Sequence, residues 1–214
     1  MRLLDLFCGS GGAARGYELA GFDFIIGVDS EPILNYPYHF IQADAIEYLE
    51  ECDITSFDLI HASPPCQQHS LATRSQNRDN HDCYIKELRE FFDQNNCYYV
   101  IENVRDAPLI DPIILEGNMF NLPIVRRRLF EVNWQCSQPE LRKYKDYISR
   151  YVTLAGNGGT ASSYKLYNYQ LATGIWWMNR AQIIQAIPPK YTQYIGEKFL
   201  QFKENVNGSA RGLG

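Results

Sequence analysis

Short apolar runs alternate with polar, helix-compatible stretches through the first 134 residues of this 214-residue chain. The apolar runs predict buried strands at residues 3–7, 22–29, 39–44, 57–63, 97–104 and 127–134. The stretches between them predict helices at residues 13–20, 45–51 and 84–95. Strands that alternate with helices are typical of an α/β fold, in which helices cover both faces of a mostly parallel sheet. Because such folds bind ligands at the carboxyl ends of their strands, we expect the functional residues there.

The alternation stops at residue 135, and helical spacing returns near residue 174. The segment between these points is rich in Tyr, Lys and Arg and includes the glycine-rich stretch 156–163. We therefore predict a main domain formed by residues 1–134 and 174–204, a small irregular insertion at 135–173 and a flexible polar tail at 205–214.

No part of the sequence approaches the roughly 18 consecutive apolar residues that a membrane-spanning helix needs. The N-terminus also lacks the charged-then-apolar pattern of a signal peptide, so we expect a cytoplasmic protein that does not associate with membranes. The six cysteines show no CxxC pair and no nearby CxxH spacing. We expect them to be free thiols, and no metal site is predicted.

The charges are unevenly divided along the chain. Residues 1–119 carry 7 basic and 20 acidic side chains, whereas residues 120–214 carry 13 basic and 5 acidic ones. This division indicates that a polyanion would bind to the C-terminal part, although chance segregation is the alternative.

The first predicted strand leads into a glycine-rich turn, DLFCGSGG, which contains Phe7, Gly9 and Gly11. Glycines at such a turn allow the backbone to approach a ligand closely, and the following helix offers unpaired N–H groups at its N-terminus. Asp29 ends the next strand at a spacing that suits a ribose diol, and Asp44 ends the third, where it suits an adenine amino group. Together they indicate a nucleoside-binding crevice, although a helix cap or a solvated loop is the alternative for each aspartate.

The predicted strand at 57–63 is followed at once by Pro64, Pro65 and Cys66. The two prolines stiffen the turn and present the cysteine at a strand end that faces the crevice. This position favours a nucleophilic thiolate over the inert small side chain that a free cysteine more often is.

The predicted strand at 97–104 carries Glu102 and Asn103 after a run of apolar residues. A buried carboxyl group has a raised pKa and can donate a hydrogen bond to a ring nitrogen. A capping or ion-paired glutamate is the alternative.

Arg126 and Arg128 alternate along the stretch VRRRLFEV, which predicts that both lie on one face of a strand and Arg127 on the other. Two guanidinium groups on one face suit a phosphate, or a base beside a carboxylate. Surface salt bridges are the alternative.

Taken in order, DLFCGSGG, SPPCQ, ENV and RRRLFE resemble motifs I, IV, VI and VIII of the DNA cytosine-5 methyltransferase family. The stretch WMNRAQIIQAIPPKYTQYIG resembles the C-terminal block of the compact phage and prophage members, so the likeness covers residues 1–134 and 175–200. This resemblance implies a Rossmann-like fold with S-adenosylmethionine as the methyl donor. It also implies that the main domain is catalytic and that the insertion is a small target-recognition region.

The resemblance assigns a role to each matching residue. It implies that Cys66 is the nucleophile, that Glu102 engages the cytosine edge, and that Arg126 and Arg128 position the base. The implied cofactor-binding residues are Phe7, Gly9, Gly11, Asp29, Asp44 and Pro64. The polar segment 67–82 is expected to close over the DNA, and the expected substrate-binding residues are Gln67, Ser70, Arg74, Arg78 and Asn103.

Three positions depart from the family pattern. Ile124 stands where many members have glutamine, and Asn179 and Gln182 stand where compact members have threonine and glutamate. These departures bear on cofactor geometry or DNA contacts more than on catalysis. The recognition region has only about 40 residues, which bears on sequence specificity.

The resemblance predicts a monomeric enzyme that methylates a flipped-out cytosine in duplex DNA. A tRNA cytosine-5 methyltransferase with the same residues and a catalytically silent DNA-binding homologue are alternatives. A nucleoside-binding oxidoreductase would account for the glycine turn, but it leaves the Pro-Pro-Cys element without a purpose.

Overall fold

The computed structural model describes residues 1–65, 82–140, 152–154 and 164–211. The strands of its main sheet are β1 (Arg2–Leu6), β2 (Phe24–Asp29), β3 (His39–Gln42), β4 (Leu59–Ala62), β5 (Tyr99–Asn103), β6 (Ile113–Leu115) and β8 (Arg128–Val132). A second, two-stranded sheet pairs β7 (Ile124–Val125) in parallel with β9 (Val152–Thr153).

The main sheet has the strand order β3-β2-β1-β4-β5-β8-β6. The five strands from β3 to β5 are parallel to their neighbours, and β8 is antiparallel to both β5 and β6. The carboxyl ends of β1, β4 and β5 therefore meet at one edge of the sheet. The prediction of a mostly parallel α/β sheet is confirmed.

The helices are α1 (Gly12–Ala20), α2 (Ala45–Glu51), α3 (Asp82–Gln94), α4 (Leu166–Thr173), α5 (Arg180–Gln185) and α6 (Pro189–Arg211). Because successive side chains of a strand point to opposite faces, β1 contributes to two hydrophobic cores. Leu3 packs with residues of α1 and α6, whereas Leu4 and Leu6 pack with residues of α2 and α3. Each fully buried leucine contributes about 1.5–3 kcal/mol to folding. Helices thus cover both faces of the sheet, as predicted.

Glycine residues bring helix α1 and the C-terminal part of the chain into direct backbone contact. A Cβ atom at Gly16 would lie 2.0 Å from Thr192 Oγ1, and one at Gly12 would lie 2.5 Å from the carbonyl oxygen of Ile187. The Thr192 hydroxyl donates a hydrogen bond to the carbonyl of Ala13 over 2.8 Å. This close packing holds the residues that precede α6 against the turn at the start of α1.

Three segments differ from the expectation drawn from the sequence. The strand β6 is not predicted, because three residues are too few to show an alternation. The segment expected to be an irregular insertion contains β9 and α4. Helix α6 continues to Arg211 through residues expected to form a tail, because extending an existing helix costs little compared with starting one.

Within the described part of the chain, no helix combines the length and the apolar character that crossing a membrane requires.

Candidate active site

The glycine-rich turn between β1 and α1 has an unusual backbone conformation. Phe7, Gly9 and Gly11 all have positive φ angles, of 54°, 47° and 84°. Glycine adopts this region readily, whereas Phe7 does so at a cost of about 1–3 kcal/mol, and such strain clusters at functional sites. Gly11 is the N-cap of α1 and has no side chain to cap the helix, so the turn leaves backbone N–H groups available at the helix N-terminus.

Asp29 braces this turn from the end of β2. Its Oδ2 accepts a hydrogen bond from the backbone N–H of Gly9 over 2.9 Å, and its Oδ1 accepts one from Glu31 over 3.1 Å. Asp29, the residue predicted to bind a ribose, thus holds the glycine turn in place.

Asp44 is the N-cap of α2, which is the alternative that the sequence left open for this residue. Its Oδ1 accepts hydrogen bonds from the backbone N–H groups of Ile46 and Glu47 over 2.8 and 3.2 Å. The side chain stands at the end of β3, at the same edge of the sheet as the glycine turn.

A cavity of about 470 Å³ opens beside the glycine turn. Phe7, Gly9 and Asp5 line one side of it, the strand ends Ser63–Pro65 and Glu102–Val104 line another, and Arg128 contributes from β8. Residues between 181 and 187 form a further wall. The structure therefore brings together six of the predicted residues from separate parts of the chain. They are Phe7, Gly9, Pro64, Glu102, Asn103 and Arg128.

Glu102 is a buried carboxyl group at the end of β5. Burial raises the pKa of Glu102, and the Arg128 and Arg126 guanidinium groups and a hydrogen bond from Ser63 oppose that rise. The Nε atom of Arg128 lies 3.0 Å from Oε1 of Glu102, but its N–H is not aligned for a hydrogen bond, so the contact is electrostatic. A carboxyl group in these surroundings can hold a proton at a pH where an exposed glutamate cannot.

Asp5 is a second buried carboxyl group that lines the cavity. Burial raises the pKa of Asp5 well above its usual value, while a hydrogen bond from the Tyr36 hydroxyl opposes that rise. That hydroxyl donates to Oδ2 over 3.3 Å, and Oδ1 has no hydrogen-bond partner among the described residues. Asp5 was not among the predicted site residues, because it stands inside an apolar strand and the sequence alone does not show which groups surround it.

Arg126 and Arg128 do not share one strand face, which corrects the prediction. The strand β7 ends before Arg126 and β8 begins at Arg128, so the residues between them do not alternate. The Arg126 guanidinium donates hydrogen bonds to the carbonyls of Leu154, Ile184 and Gln185 over 2.7–3.0 Å. Arg128 lines the cavity, whereas Arg126 ties its wall to the insertion.

Asn103 links the end of β5 to the turn after β4. Its Nδ2 donates a hydrogen bond to the Pro64 carbonyl over 3.0 Å, and its Oδ1 accepts one from the Val104 N–H over 2.8 Å. Both side-chain groups are therefore used to position backbone near the cavity.

Tyr17, His61 and Ser63 contact one another in series beside Glu102, and none of these three residues was among the predicted site residues. The Tyr17 hydroxyl lies 2.9 Å from Nδ1 of His61, and Nε2 of His61 lies 2.9 Å from the Ser63 hydroxyl. Burial lowers the pKa of His61 to about 3, so its ring is neutral.

The two departures at Asn179 and Gln182 form a capping box at the start of α5. The Asn179 side chain accepts a hydrogen bond from the Gln182 N–H over 3.0 Å, and the Gln182 side chain accepts one from the Asn179 N–H over 2.9 Å. Such a box needs a short acceptor followed three residues later by a longer one, which these two amides provide. Gln182 also exchanges hydrogen bonds with Asn35. The third departure, Ile124, is fully buried in the core beside β9.

Five predicted residues lie outside the described part of the chain: Cys66, Gln67, Ser70, Arg74 and Arg78. Pro65, which precedes Cys66, lines the cavity. Across residues 1–65, 82–140, 152–154 and 164–211, no three His, Cys, Asp or Glu side chains are arranged to hold a metal ion.

The chain is similar to known proteins in both sequence and structure. A family model described as C-5 cytosine-specific DNA methylase matches residues 1–107, which is half of the chain. The Type II methyltransferase M.FnuDI of Fusobacterium nucleatum is 31% identical over 113 residues, which cover 49% of this chain and 33% of that protein. M.DdeI of Desulfomicrobium norvegicum, also a Type II methyltransferase, is 28% identical over 117 residues, which cover 49% of this chain and 28% of that protein. The chain thus spans about a third of the length of these curated relatives.

The crystal structure of S. pombe Dnmt2 methyltransferase has a similar fold. It superposes with a TM-score of 0.61 at 14% sequence identity, and the match covers 94% of this chain and 98% of that chain. The predicted Rossmann-like methyltransferase fold is confirmed by this likeness.

Proposed function

The chain belongs to the C-5 cytosine-specific DNA methylase family, and from this we propose that it transfers a methyl group from S-adenosylmethionine to carbon 5 of cytosine in DNA. The observation that carries the proposal is the position of Glu102. A buried carboxyl group with a raised pKa lines a cavity that also contains the glycine turn and the strand end leading to Cys66. A nucleoside-binding oxidoreductase has no use for this combination.

The lining of the cavity fits S-adenosylmethionine. A Cβ atom at Gly9 would meet nothing within 4 Å, so the space beside the turn is open for a ligand. The buried Oδ1 of Asp5 offers an acceptor for a positively charged group, and Phe7 and Pro64 supply apolar surface. When bound, S-adenosylmethionine supplies an electrophilic methyl group.

Three further residues of the proposed cofactor site lie at the same edge of the sheet. Gly11 shapes the turn through its positive φ angle. The carboxylate oxygens of Asp29 and Asp44 each have more than one lone pair, so the bonds they make to backbone N–H groups leave capacity for a ribose hydroxyl and an adenine amino group.

Cys66 is the proposed nucleophile. Its thiolate adds to carbon 6 of the cytosine ring, which makes carbon 5 nucleophilic enough to take the methyl group. Carbon 5 then loses its proton to a base, and the bond between sulfur and carbon 6 breaks to release Cys66. A free cysteine has a pKa of about 8.5, so only a few per cent is thiolate at neutral pH, and each unit by which the pKa falls is worth about 1.4 kcal/mol.

Glu102 acts on the opposite edge of the ring in this mechanism. In its protonated form it donates a hydrogen bond to ring nitrogen 3, where negative charge develops when sulfur adds to carbon 6. Arg128 lies beside the carboxyl group and lines the same cavity, so it orients Glu102 and the base. Arg126 supports this arrangement through the backbone of α5.

Duplex DNA bound to a monomer is the proposed substrate complex. Because a stacked cytosine cannot reach a buried carboxyl group, the base must rotate out of the duplex at a cost of a few kcal/mol. Gln67, Ser70, Arg74 and Arg78 are proposed to contact the DNA, and Asn103 to support the base from the strand end. We place the reaction in the cytoplasm of a bacterium or a phage-infected cell, where such DNA is found.

The test is methylation by the protein and by a Cys66→Ala variant. Plasmid DNA from cells that express each protein is analysed by bisulfite sequencing, and purified protein is incubated with labelled S-adenosylmethionine and either DNA or tRNA. We expect methylated cytosine at a defined DNA sequence with the original protein and none with the variant. Label that enters tRNA alone, or an active Cys66→Ala variant, would overturn the proposal.

A further inference from the structure

Tyr17 and His61, which are fully buried, and Ser63, which is half-buried at the cavity wall, form a series of hydrogen-bonding groups that leads to Glu102. Tyr17 contacts Nδ1 of His61, and Nε2 of His61 contacts the hydroxyl of Ser63, each over 2.9 Å. Ser63 and Glu102 occupy neighbouring positions at the ends of β4 and β5, and both line the cavity. The Ser63 hydroxyl is close enough to the Glu102 carboxyl group to act on it as a donor, and it lowers the pKa of Glu102 against the larger rise that burial causes.

The direction of this series follows from Tyr17. Its side chain is fully buried, and His61 Nδ1 is its hydrogen-bond partner within the part of the chain that the structure describes. If Tyr17 did not donate to His61, its hydroxyl hydrogen would be a buried donor without an acceptor, which is costly. Tyr17 therefore donates to Nδ1.

The protonation state of His61 passes this direction on. A neutral imidazole that accepts a hydrogen bond at Nδ1 carries its proton on Nε2. Nε2–H then donates to the oxygen of Ser63, and the hydroxyl hydrogen of Ser63 is left for the Glu102 carboxyl group. In the opposite tautomer Ser63 would donate to His61 and would have to accept the proton of Glu102.

We propose that Tyr17, His61 and Ser63 are positioning residues that keep Ser63 a donor to Glu102, so that the proton of Glu102 is directed to the cytosine ring. This inference rests on the proposed function, because the ring nitrogen is the acceptor that the proton serves. None of the three residues needs to touch the substrate for this role.

The charged groups around Glu102 set the background for this effect. Arg128 from β8 and Arg126 from the segment before it both favour the ionised carboxylate. Burial raises the pKa of the Tyr17 phenol, and the carboxyl groups of Asp5 on β1 and of Glu102 raise it further. Ser63 is a neutral donor among these charged groups. The Ser63→Ala change should therefore alter the protonation of Glu102 without adding or removing a charged side chain.

The first experiment reads the tautomer of His61. The chain contains four histidines, so ¹⁵N NMR of histidine-labelled protein can be assigned with a His61→Gln variant. We expect a neutral ring protonated on Nε2 throughout the neutral pH range. In Tyr17→Phe, which removes only the hydroxyl, we expect the Nδ1–H tautomer to become populated. An Nδ1–H ring in the original protein would overturn the proposal.

The second experiment measures the protonation of Glu102 directly. The infrared band of its protonated carboxyl group is identified by its loss in Glu102→Gln. In Ser63→Ala we expect the titration of this band to move upward by about one pH unit, which is a tenfold higher ratio of acid to carboxylate at a given pH. Ser63→Thr keeps the hydroxyl and should titrate like the original protein. Ser10→Ala, a matched change at another serine of the cavity wall, should also leave it unchanged.

Equal titrations of Ser63→Ala and Ser10→Ala, or a Ser63→Thr variant that behaves like Ser63→Ala, would disprove the role of Ser63. A third readout is the pH profile of kcat, whose alkaline limb should move upward in Ser63→Ala while the KM for S-adenosylmethionine stays unchanged.

The NMR and infrared measurements use protein without DNA. The predicted tautomer and titration in a protein that methylates no DNA would therefore contradict the proposed function alone. Normal methylation with an unaltered Ser63→Ala titration would contradict this inference alone.

Discussion

The side-chain amide of Asn103 donates a hydrogen bond to the carbonyl of Pro64 over 3.0 Å and so fixes the turn that leads to Cys66 to the strand that carries Glu102. These two segments are 39 residues apart in the chain. If Cys66 and Glu102 act on opposite edges of one ring, this bond sets the distance between them.

We expect Asn103→Ala to lower kcat about tenfold to a hundredfold, because a displacement of about 1 Å is enough to cause such losses. Asn133→Ala is the matched control. Asn133 makes the same two kinds of amide contact at the other end of β5, with Cys97 and Tyr99. Asn103 is buried and Asn133 is exposed, so Asn133→Ala should lose the smaller free energy of unfolding, and only Asn103→Ala should lose activity. Equal activities in a methylation assay would show that the Pro64 turn is held by other contacts.

Gly9→Ala should weaken the binding of S-adenosylmethionine at least tenfold, or by about 1.4 kcal/mol. Its new methyl group would project into open space beside the glycine turn at a φ of 47°. Gly174→Ala, at a φ of 74° and also with nothing within 4 Å, introduces the same kind of backbone strain at the end of α4. Each change should destabilise the fold by about 1–2 kcal/mol. Calorimetric titration should find normal affinity in Gly174→Ala, and an unaffected Gly9→Ala protein would place the cofactor elsewhere.

Arg89→Met should destabilise the protein by about 3–5 kcal/mol, because it leaves the buried carboxylate of Glu131 without its countercharge. Nε and Nη2 of Arg89 bind the two oxygens of Glu131 at 2.6 and 2.8 Å, and this contact joins α3 to β8. The exposed pair of Lys86 and Glu90, with a separation of 3.7 Å, provides the comparison. Lys86→Ala should cost less than about 1 kcal/mol. Urea denaturation measures both, and similar midpoints would mean that the buried pair adds little.

The stability of the protein should fall with rising pH through Glu102. Burial raises the pKa of Glu102 in the folded state, so the unfolded chain releases this proton first as the pH rises. The loss begins at the usual pKa of a glutamate and is complete at the raised folded pKa, and each unit between the two costs about 1.4 kcal/mol. Glu102→Gln should therefore match the original protein in acid and exceed its melting temperature at neutral pH. A difference that is constant with pH would contradict the raised pKa.

The main sheet was largely predictable from the sequence, because β1, β2, β4 and β5 are mostly buried on both faces and appear as nearly continuous apolar runs, whereas the edge strand β3 is only partly buried. The site followed from the same rule, since Phe7, Pro64 and Glu102 stand where such strands end. The strand β6 escaped prediction because its three residues carry no periodic signal.

Contacts between distant segments account for the rest. The roles of Arg126 and Arg128 depend on where strand β8 begins. Arg128 is its first residue and lines the cavity, whereas Arg126 stands two residues before it and binds backbone carbonyls. The sequence around Asp44 suits a helix cap as well as a ligand-binding residue, and the sequence around Asp29 suits a residue that supports the glycine turn as well as one that binds a ligand. His61 could not be selected, because its partner Tyr17 is 44 residues away and only the folded chain brings the two together.

The close packing of α1 against α6 has a consequence for how the cavity forms during synthesis. The glycine turn, the Pro64 turn and Glu102 are all made in the first half of the chain, whereas the wall formed by residues 181–187 directly precedes α6, whose packing against α1 helps to hold it in place. A nascent chain that still lacks α6 therefore has every proposed reacting group and an incomplete enclosure for them. Competence to exclude water from the reaction should arise late, in the same step that brings the two ends of the domain together.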